Sequence, residues 1–447
     1  MKIIIYSTNA NHFTGEMNTL HIPSCKSRWT EFIEKHKEIE IVIVAHKPAS
    51  FLLDMEGIND LPLPVKTIIV EEEGAEKIAQ YIIEEKCDMA IALSAWARPF
   101  DWLSLQDAEA AEILEAHGIK TIAMSSKTAF TCFDKWQTHL ILESAGITTP
   151  NAVYVHHNLF FCAGNKKEIR NNVYKEAVLA QIKSMHYPVI IKDTVGLSSY
   201  GMEVVNTFLE AKRFLESKRN SSDRIVEEFI SGIQFGAEIH GVEKYNVLPP
   251  FMFSVNKYGI TSPKQSIKVG PVTSEKYKVS ELKKILERIA EKLDFKLIAQ
   301  IDAVFDGEKW YIIEINPRIS GMSETYAASM GLSLYDMILL ASGAKEVDKS
   351  EERVLKPTLN IKFPLLSLED LTSLSEKPYI AHISQTENKA ALQEREKGYC
   401  EVILCANTFA ELHNNLSDLE KSFPALIEKD LIDKAKEMLL SQNLAYE

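Results

Sequence analysis

Residues 299–324 read AQIDAVFDGEKWYIIEINPRISGMSE and decide the fold we expect. Two strand-like runs flank a turn at Asp306, and the second run carries Glu314 and Asn316 on one side because side chains alternate along a strand. Hairpin pairing can bring Asp302 of the first run opposite that side. A buried carboxylate without a partner is costly, and three oxygen ligands suit a magnesium ion that bridges phosphates. We therefore predict Asp302, Glu314 and Asn316 as metal ligands.

The stretch PVIIKDTVGLSSYGMEVV, residues 188–205, indicates two strands joined by a loop of small residues. Glycine lets a backbone approach a ligand without a Cβ clash, and the N–H groups of such a loop can surround phosphate oxygens. Lys192, at the end of the first strand, adds a positive charge. A plain hairpin turn is the alternative. The residues predicted to bind phosphate here are Lys192, Gly196, Ser198, Ser199, Tyr200 and Gly201.

Two further stretches contain candidate nucleotide contacts. Lys135 opens a predicted helix from Asp134 to Ala145, where a lysine can reach a phosphate, although most lysines at helix starts face solvent. The run RIVEEFISGIQFGAEIHG, residues 224–241, indicates a strand and a linker whose backbone N–H and C=O groups can face an adenine edge. Taken alone, it is an ordinary hairpin. The residues singled out in it are Glu227, Glu228, Phe229, Ile230 and Gln234.

Arg318 follows Pro317 directly after the second strand of the 299–324 hairpin. A guanidinium group can hold a carboxylate or phosphate through two parallel hydrogen bonds. A structural salt bridge between Arg318 and an acid is the alternative. We predict Arg318 and Lys192 as the catalytic residues.

The order of strand and helix signals predicts three units. Residues 1–125 alternate short apolar runs with helices, which is typical of an open parallel α/β sheet. Residues 126–344 are expected to form an α+β unit with antiparallel sheets, in which about 153–224 acts as a lid. Charged residues 345–356 form a linker before a smaller α+β piece at 357–447. The strands predicted in the first unit are Lys2–Tyr6, Ile41–Ala45, Thr67–Val70, Met89–Leu93 and Lys120–Met124.

Composition and charge narrow the class of protein. A chain of 447 residues is long enough for several units. Its net charge of −13 argues against duplex nucleic-acid binding, which usually requires a basic face. The chain shows neither a signal peptide nor an apolar run long enough to cross a bilayer, and the six cysteines form no CxxC pair. We therefore expect a cytoplasmic protein without membrane or nucleic-acid partners.

With these stretches in view, the region from about Glu112 to Gly331 resembles the ATP-grasp superfamily, in particular D-alanine–D-alanine ligases and related amino-acid ligases. The run Ser198–Met202 is similar to the serine-rich phosphate loop of those ligases. The run Glu314–Arg318, EINPR, instead is similar to biotin carboxylase and its relatives. Gln300 stands where D-alanine ligases carry an arginine that stabilises the tetrahedral intermediate, and Arg318 could substitute for it.

The resemblance implies an ATP-dependent ligase that uses Mg²⁺, or Mn²⁺ in its place. Its partners would be a small-molecule carboxylate and an amine, one of them an amino acid, and the product an amide formed through an acyl phosphate. Dimers are common among such ligases, so a homodimer is expected. The resemblance assigns phosphate contacts to Lys135 and Lys192 and adenine contacts to Glu227, Phe229 and Ile230. It places Gln234 at the position of a ribose-binding acid. It assigns metal ligation to Asp302, Glu314 and Asn316, and the acyl-phosphate or carboxylate contact to Arg318.

Two other functions stay open from the sequence. The Asn316-Pro317-Arg318 run supports a biotin-carboxylase-like or purine-pathway ATP-grasp enzyme, in which the acid could be bicarbonate. A non-catalytic ATP-binding module is the second alternative. The complete set of lysines and metal ligands argues against that module, because a chain without catalysis would be free to lose some of them.

Overall fold

We obtained a computed structural model of the chain that describes residues 1–8, 17–46, 63–72, 74–93, 103–162, 171–195, 202–256, 266–345, 354–388, 397–424 and 429–446. Within these ranges, no helix combines the length and the apolar character that crossing a bilayer requires. The elements of the first 125 residues are β1 (Lys2–Ser7), β2 (Met17–Ile22), α1 (Cys25–Lys35), β3 (Glu40–Ala45), β4 (Lys66–Ile69), α2 (Ala75–Glu85), β5 (Met89–Ala92), α3 (Leu103–Ala116) and β6 (Thr121–Ile122).

The N-terminal unit is the open parallel α/β sheet that the sequence predicts. Five strands are paired in the order β4-β3-β1-β5-β6, and all four pairings are parallel. Both faces are apolar because helices cover them. On one face, Ile78 and Ile82 of α2 pack against Ile4 and Val42 of the sheet. On the other face, Trp29 of α1 is fully buried. The open parallel α/β sheet predicted for the N-terminal part of the chain is confirmed.

A separate four-stranded antiparallel sheet forms next. It has the order β7-β10-β8-β9 and a core of its own, in which Ile182, Ile191, Leu215 and Val226 are fully buried. It spans Ala152 to Glu228, close to the range of 153–224 expected for a lid, although movement of this unit remains a prediction. The elements leading to and forming it are α4 (Ser126–Phe133), α5 (Lys135–Ser144), β7 (Ala152–Val155), α6 (His157–Phe161), α7 (Val173–Lys183), β8 (Val189–Asp193), β9 (Glu203–Val205), α8 (Phe208–Leu215) and β10 (Arg224–Glu228).

The remaining strands join one large antiparallel sheet. Its elements and the helices around it are β11 (Ile233–Gly241), β12 (Asn246–Val247), β13 (Phe251–Phe253), β14 (Ile267–Gly270), a 3₁₀ turn (Glu275–Tyr277), α9 (Val279–Leu293), β15 (Leu297–Phe305), β16 (Trp310–Asn316), α10 (Ser323–Met330), α11 (Leu334–Ala341), β17 (Thr358–Phe363), α12 (Leu368–Ser375), β18 (Ile380–Asn388), β19 (Gly398–Cys405), α13 (Phe409–Ser422) and α14 (Lys429–Tyr446). The strand order is β16-β15-β11-β13-β14-β17-β19-β18-β2, with β12 paired to β11.

The predicted C-terminal piece shares this sheet with the central unit. Strand β17 pairs with β14 in the register Ile267↔Ile361, so the strands after residue 357 extend the central sheet. Strand β2 of the first unit pairs with β18 in the register Ile22↔Ile383. The sequence predicts neither pairing, because strands far apart in the chain carry no local signal for each other. The boundary at residue 357 therefore stays a prediction from linker composition.

The two faces of the large sheet differ in chemistry. Residues directly opposite one another on paired strands share a face, and one such row across the sheet is wholly apolar: Ala303, Phe235, Met252, Val269, Leu359 and Leu404. These residues belong to the core that also contains buried residues of α9, α13 and α14. The alternate positions point to the opposite face, which carries the polar side chains of Asp302, Lys268, Asn360 and Glu401. The candidate site lies on this polar face.

Candidate functional site

The hairpin of β15 and β16 brings the three predicted metal ligands to one face. Asp302 lies directly opposite Glu314, and Gln300 directly opposite Asn316. A bulge follows Asp302 and changes the register by one residue. The turn is fixed by the carboxylate of Asp306, which accepts hydrogen bonds from the backbone N–H of residues 308 and 309 at 2.8 and 2.7 Å. Two acids and one amide therefore project together from neighbouring strands.

The two facing carboxyl groups differ in acidity. Burial, together with the nearby charge of Glu314, raises the pKa of Asp302 to about 7. Burial also opposes ionisation of Glu314, but Lys135, whose Nζ lies 3.0 Å from Glu314 Oε1, outweighs it and lowers the pKa of that carboxyl. Lys192 and Arg318 act in the same direction. A divalent cation between the pair would oppose both effects on Asp302, because it would stabilise the ionised form of Asp302 beside Glu314.

Gln300 links the ligands through side-chain hydrogen bonds. Its Nε2 donates to Asp302 Oδ1 at 2.6 Å, and its Oε1 accepts from Asn316 Nδ2 at 2.8 Å. Arg318 continues the chain, because its Nη2 donates to Asn316 Oδ1 at 3.1 Å. Gln300 therefore orients two candidate ligands, a role that the sequence did not reveal.

The two predicted phosphate lysines lie on different elements, α5 and β8, and both influence the ionisation of Glu314. Lys135 opens α5, which is capped by Asp134 through hydrogen bonds from the N–H groups of Trp136 and Gln137. Its backbone N–H donates to the carbonyl of Thr194 at 2.8 Å, at the end of β8 in the four-stranded sheet. Lys192 lies on β8 and influences the ionisation of Glu314. The structure brings both lysines near the hairpin acids.

Lys192 is buried and makes a close ion pair with Glu227. The distance from Nζ to Glu227 Oε2 is 2.5 Å, and each side chain is only 7% exposed. Glu228, the next residue, faces the opposite side of the strand. Its Oε1 accepts hydrogen bonds from Asn151 Nδ2 at 3.1 Å and from the backbone N–H of His186 at 2.8 Å. The structure therefore brings Glu227, but not the carboxylate of Glu228, to Lys192.

The linker after β10 is half-buried. Phe229 donates its backbone N–H to the carbonyl of Pro188 at 3.0 Å, and Ile230 follows without regular structure. Gly232 makes the closest approach, since a Cβ there would lie 2.4 Å from the backbone oxygen of Phe305. Gln234, on β11, is half-buried and shares the polar sheet face with Asp302, because Gly236 two residues on is opposite Asp302.

The predicted phosphate loop lies outside the described residues. These are Gly196, Ser198, Ser199, Tyr200 and Gly201, between the end of β8 at Asp193 and the start of β9 at Glu203. Their phosphate contacts stay a prediction from the sequence.

Lys268 is a functional candidate that the sequence analysis missed. It lies on β14 with 8% of its surface exposed, and its Nζ donates to Gly321 O at 3.0 Å and to Glu401 Oε1 at 3.1 Å. Burial lowers the pKa of Lys268, although the charge of Glu401 acts in the opposite direction. The charge of Lys268 in turn lowers the pKa of Asp302. The available signal was the same as for Glu314: one charged residue between apolar neighbours, here Ile267 and Val269, on a short strand.

Comparisons with known proteins agree with this architecture. Residues 132–322 match the ATP-grasp domain family. The D-alanine–D-alanine ligase of Buchnera aphidicola is 28% identical over 246 residues, which cover 52% of this chain and 76% of that protein. The arginine-specific carbamoyl phosphate synthase large chain of Bacillus subtilis is 23% identical over 60% of this chain, but the match spans only 25% of that much longer protein.

Solved structures extend the likeness of fold to nearly the whole chain. The L-amino acid ligase of Bacillus licheniformis superimposes with a TM-score of 0.62 at 16% identity and covers 94% of this chain and 97% of its own. An N5-carboxyaminoimidazole ribonucleotide synthetase in complex with ADP gives a TM-score of 0.62 at 13% identity, covering 94% and 96%. Taken together, the domain match and the common fold show that residues 132–322 form an ATP-grasp domain, in a chain whose fold is shared with solved ligases and synthetases of the ATP-grasp type.

Proposed function

We propose that this chain is an ATP- and Mg²⁺-dependent ligase that joins the carboxylate of one small molecule to the amine of another, one of the two being an amino acid. The observation that carries the proposal is the meeting of Asp302 and Glu314, on adjacent strands, with Lys135 at 3.0 Å from Glu314. Two acids that face each other beside a lysine suit a cation and a phosphate better than they suit a structural core.

The donor set fits magnesium. Asp302, Glu314 and Asn316 offer carboxylate and amide oxygens, which Mg²⁺ prefers, and they leave positions for phosphate oxygens and water. Because burial and the neighbouring charge of Glu314 raise the pKa of Asp302 to about 7, a bound cation would favour the ionised form of both carboxyl groups. Held by Asp302, Glu314 and Asn316, Mg²⁺ would neutralise the negative charge that develops on the phosphates during transfer.

The lysines would hold the phosphate chain of ATP. Lys135 now pairs with Glu314, and Lys192 with Glu227. The phosphate oxygens of bound ATP would offer both ammonium groups new acceptors, and Glu314 would then be available as a metal ligand. Phe229 and Ile230, on the linker that follows β10, would cover the adenine ring.

Arg318 would orient the carboxylate of the acid substrate. It lies at the end of the hydrogen-bonded chain from Asp302 through Gln300 and Asn316. A carboxylate oxygen of the substrate attacks the γ-phosphorus, the bond from that phosphorus to the β–γ bridging oxygen breaks, and ADP leaves. The product is an acyl phosphate, and this step depends mainly on positioning and charge neutralisation.

The amine substrate then completes the reaction. Its nitrogen attacks the acyl carbon, the carbon–oxygen bond to phosphate breaks, and the amide, inorganic phosphate and a proton are released. Arg318 would stabilise the oxyanion of the tetrahedral intermediate, as a preorganised donor does. This route requires no protein nucleophile.

Release of ADP tests the proposal. The chain would be incubated with ATP, Mg²⁺ and a pool of amino acids, ADP followed by a coupled assay, and condensation products identified by mass spectrometry. Glu314→Gln should lose ADP release and keep its thermal transition. The matched control is Glu308→Gln, an exposed acid in the turn of the same hairpin. If no acid and amine pair raises ADP release above background, the ligase proposal is wrong.

Bicarbonate is a second candidate for the acid. Lys268 and Arg318 both lower the pKa of Asp302. Two positively charged side chains near the hairpin acids suit a small anion. Bicarbonate-dependent ADP release without any amino acid would favour this alternative. Amide products that form independently of added bicarbonate would exclude it.

A further inference from the structure

A second cluster of ligand-type side chains lies at the opposite end of the large sheet. It consists of His21 on β2, His382 on β18 and Glu324 at the start of α10. Strand β18 is six strand positions from β15, which corresponds to about 29 Å along the sheet at a spacing of about 4.8 Å. The cluster is therefore distinct from the Asp302–Glu314 pair.

The candidate ligand atoms of the three residues lie close to one another. One ligand atom from each residue lies within 4.8 Å of the corresponding atoms of the other two. His21 Nδ1 is 3.3 Å from His382 Nε2, and His382 Nε2 is 3.9 Å from Glu324 Oε1. Two ligands on a tetrahedral ion with metal–nitrogen bonds of about 2.0–2.1 Å lie about 3.3 Å apart. The imidazole nitrogens already have that separation.

The three side chains are held by backbone elements far apart in the chain. The β2–β18 pairing fixes His21 and His382, which are each 5% exposed. The Glu324 side chain is 12% exposed, and the same Oε1 that faces His382 accepts a hydrogen bond from Arg28 Nη1 at 2.6 Å. Outer-shell hydrogen bonds of this kind orient ligating carboxylates. The positive charge of Arg28 also opposes a cation, so we expect weaker binding than at a site without it.

We propose that His21, His382 and Glu324 form a binding site for a divalent transition-metal ion of the zinc type, in addition to the proposed Mg²⁺ site. Two imidazoles and a carboxylate suit Zn²⁺ or Co²⁺, whereas Mg²⁺ takes oxygen ligands. The ion would link strand β2 of the first unit, strand β18 of the C-terminal part and helix α10. The site needs no ATP and is independent of the ligase reaction.

Titration of the full chain with Co²⁺ tests this site. Protein freed of metal with a chelator would be titrated in excess Mg²⁺, with the visible absorption of Co²⁺ as the signal and Zn²⁺ as the competitor. One equivalent of Co²⁺ should bind and give the visible absorption bands of a site with few ligands. Zn²⁺ should displace the Co²⁺ and raise the midpoint of thermal unfolding. His382→Gln and His21→Gln should lose this binding. His117→Gln, an exposed histidine, and Glu314→Gln should keep it.

Any of three binding results would overturn the proposal. Wild-type protein could take up no stoichiometric Co²⁺, His382→Gln could bind it with unchanged affinity, or Glu314→Gln could abolish it. If a histidine variant fails to fold, the wild type still decides. Bound Co²⁺ should give strongly shifted NMR signals from the N–H protons of two imidazoles, and their absence would contradict the site. In that case the trio is a hydrogen-bonded part of the core.

Discussion

Replacing Gln300 with leucine isolates the orientation of the proposed metal ligands. The change keeps the approximate size of the side chain but removes the hydrogen bond to Asp302 at 2.6 Å and the one from Asn316 at 2.8 Å. Loss of an outer-shell partner typically weakens metal binding about 10–100-fold, or about 1.4–2.8 kcal/mol. We therefore expect the KM for Mg²⁺ to rise about 10–100-fold, and kcat at saturating Mg²⁺ to fall much less.

The assay is ADP release as a function of Mg²⁺ at saturating ATP, together with urea unfolding. Gln385→Leu is the matched control, because Gln385 also makes two hydrogen bonds, to the backbone of Leu366 at 2.8 and 3.0 Å. Both variants should lose about 1–3 kcal/mol of stability, but only Gln300→Leu should change the Mg²⁺ dependence. An unchanged KM for Mg²⁺ in Gln300→Leu would refute the reasoning.

Three further changes probe other parts of the structure. Lys192→Met leaves Glu227 as a buried unpaired carboxylate and should cost about 3–5 kcal/mol in urea unfolding, with a higher KM for ATP. Burial opposes ionisation of Glu401, but two neighbouring lysines hold its pKa at about 2, so its stabilising effect is complete above about pH 4.5 and is lost as the pH falls towards 2. Glu401→Gln should therefore flatten the pH dependence of stability in that window. Gly232→Ala would place a Cβ 2.4 Å from the Phe305 carbonyl oxygen and should destabilise by about 1–3 kcal/mol while weakening ADP binding.

Each of these three expectations has a contradicting outcome. Wild-type stability in Lys192→Met would mean that Glu227 finds another partner. An unaltered slope of stability between pH 4.5 and 2 in Glu401→Gln would mean that its carboxylate is not specially stabilised in the folded state. Unchanged stability and ADP affinity in Gly232→Ala would show that the linker can move away from β15 at little cost.

Local sequence pattern was sufficient to predict much of the architecture. The apolar runs predicted in the first unit correspond to parallel strands. Alternation along β16 was also sufficient to predict that Glu314 and Asn316 share a face. These features depend on neighbours two to four residues apart, which a single sequence contains.

Other features depend on contacts between distant parts of the chain. Strand β2 pairs with β18 at the edge of the large sheet, and β17 pairs with β14 of the central unit. Pairing between strands so far apart in the chain is decided by the packed fold. For the same reason Lys268, which gains its partners from residues 321 and 401, was not identified. The partner of Lys192 is Glu227, which sequence analysis had assigned to adenine binding.

Binding of Mn²⁺ in the presence of ADP, followed by electron paramagnetic resonance, tests the central claim most directly. The claim is that Asp302, Glu314 and Asn316 hold a divalent cation shared with the nucleotide phosphates. Wild-type chain and Glu308→Gln should bind Mn²⁺ in an ADP-dependent manner, and Glu314→Gln should bind it at least about tenfold more weakly. Equal ADP-dependent binding of Mn²⁺ by folded Glu314→Gln would contradict the account.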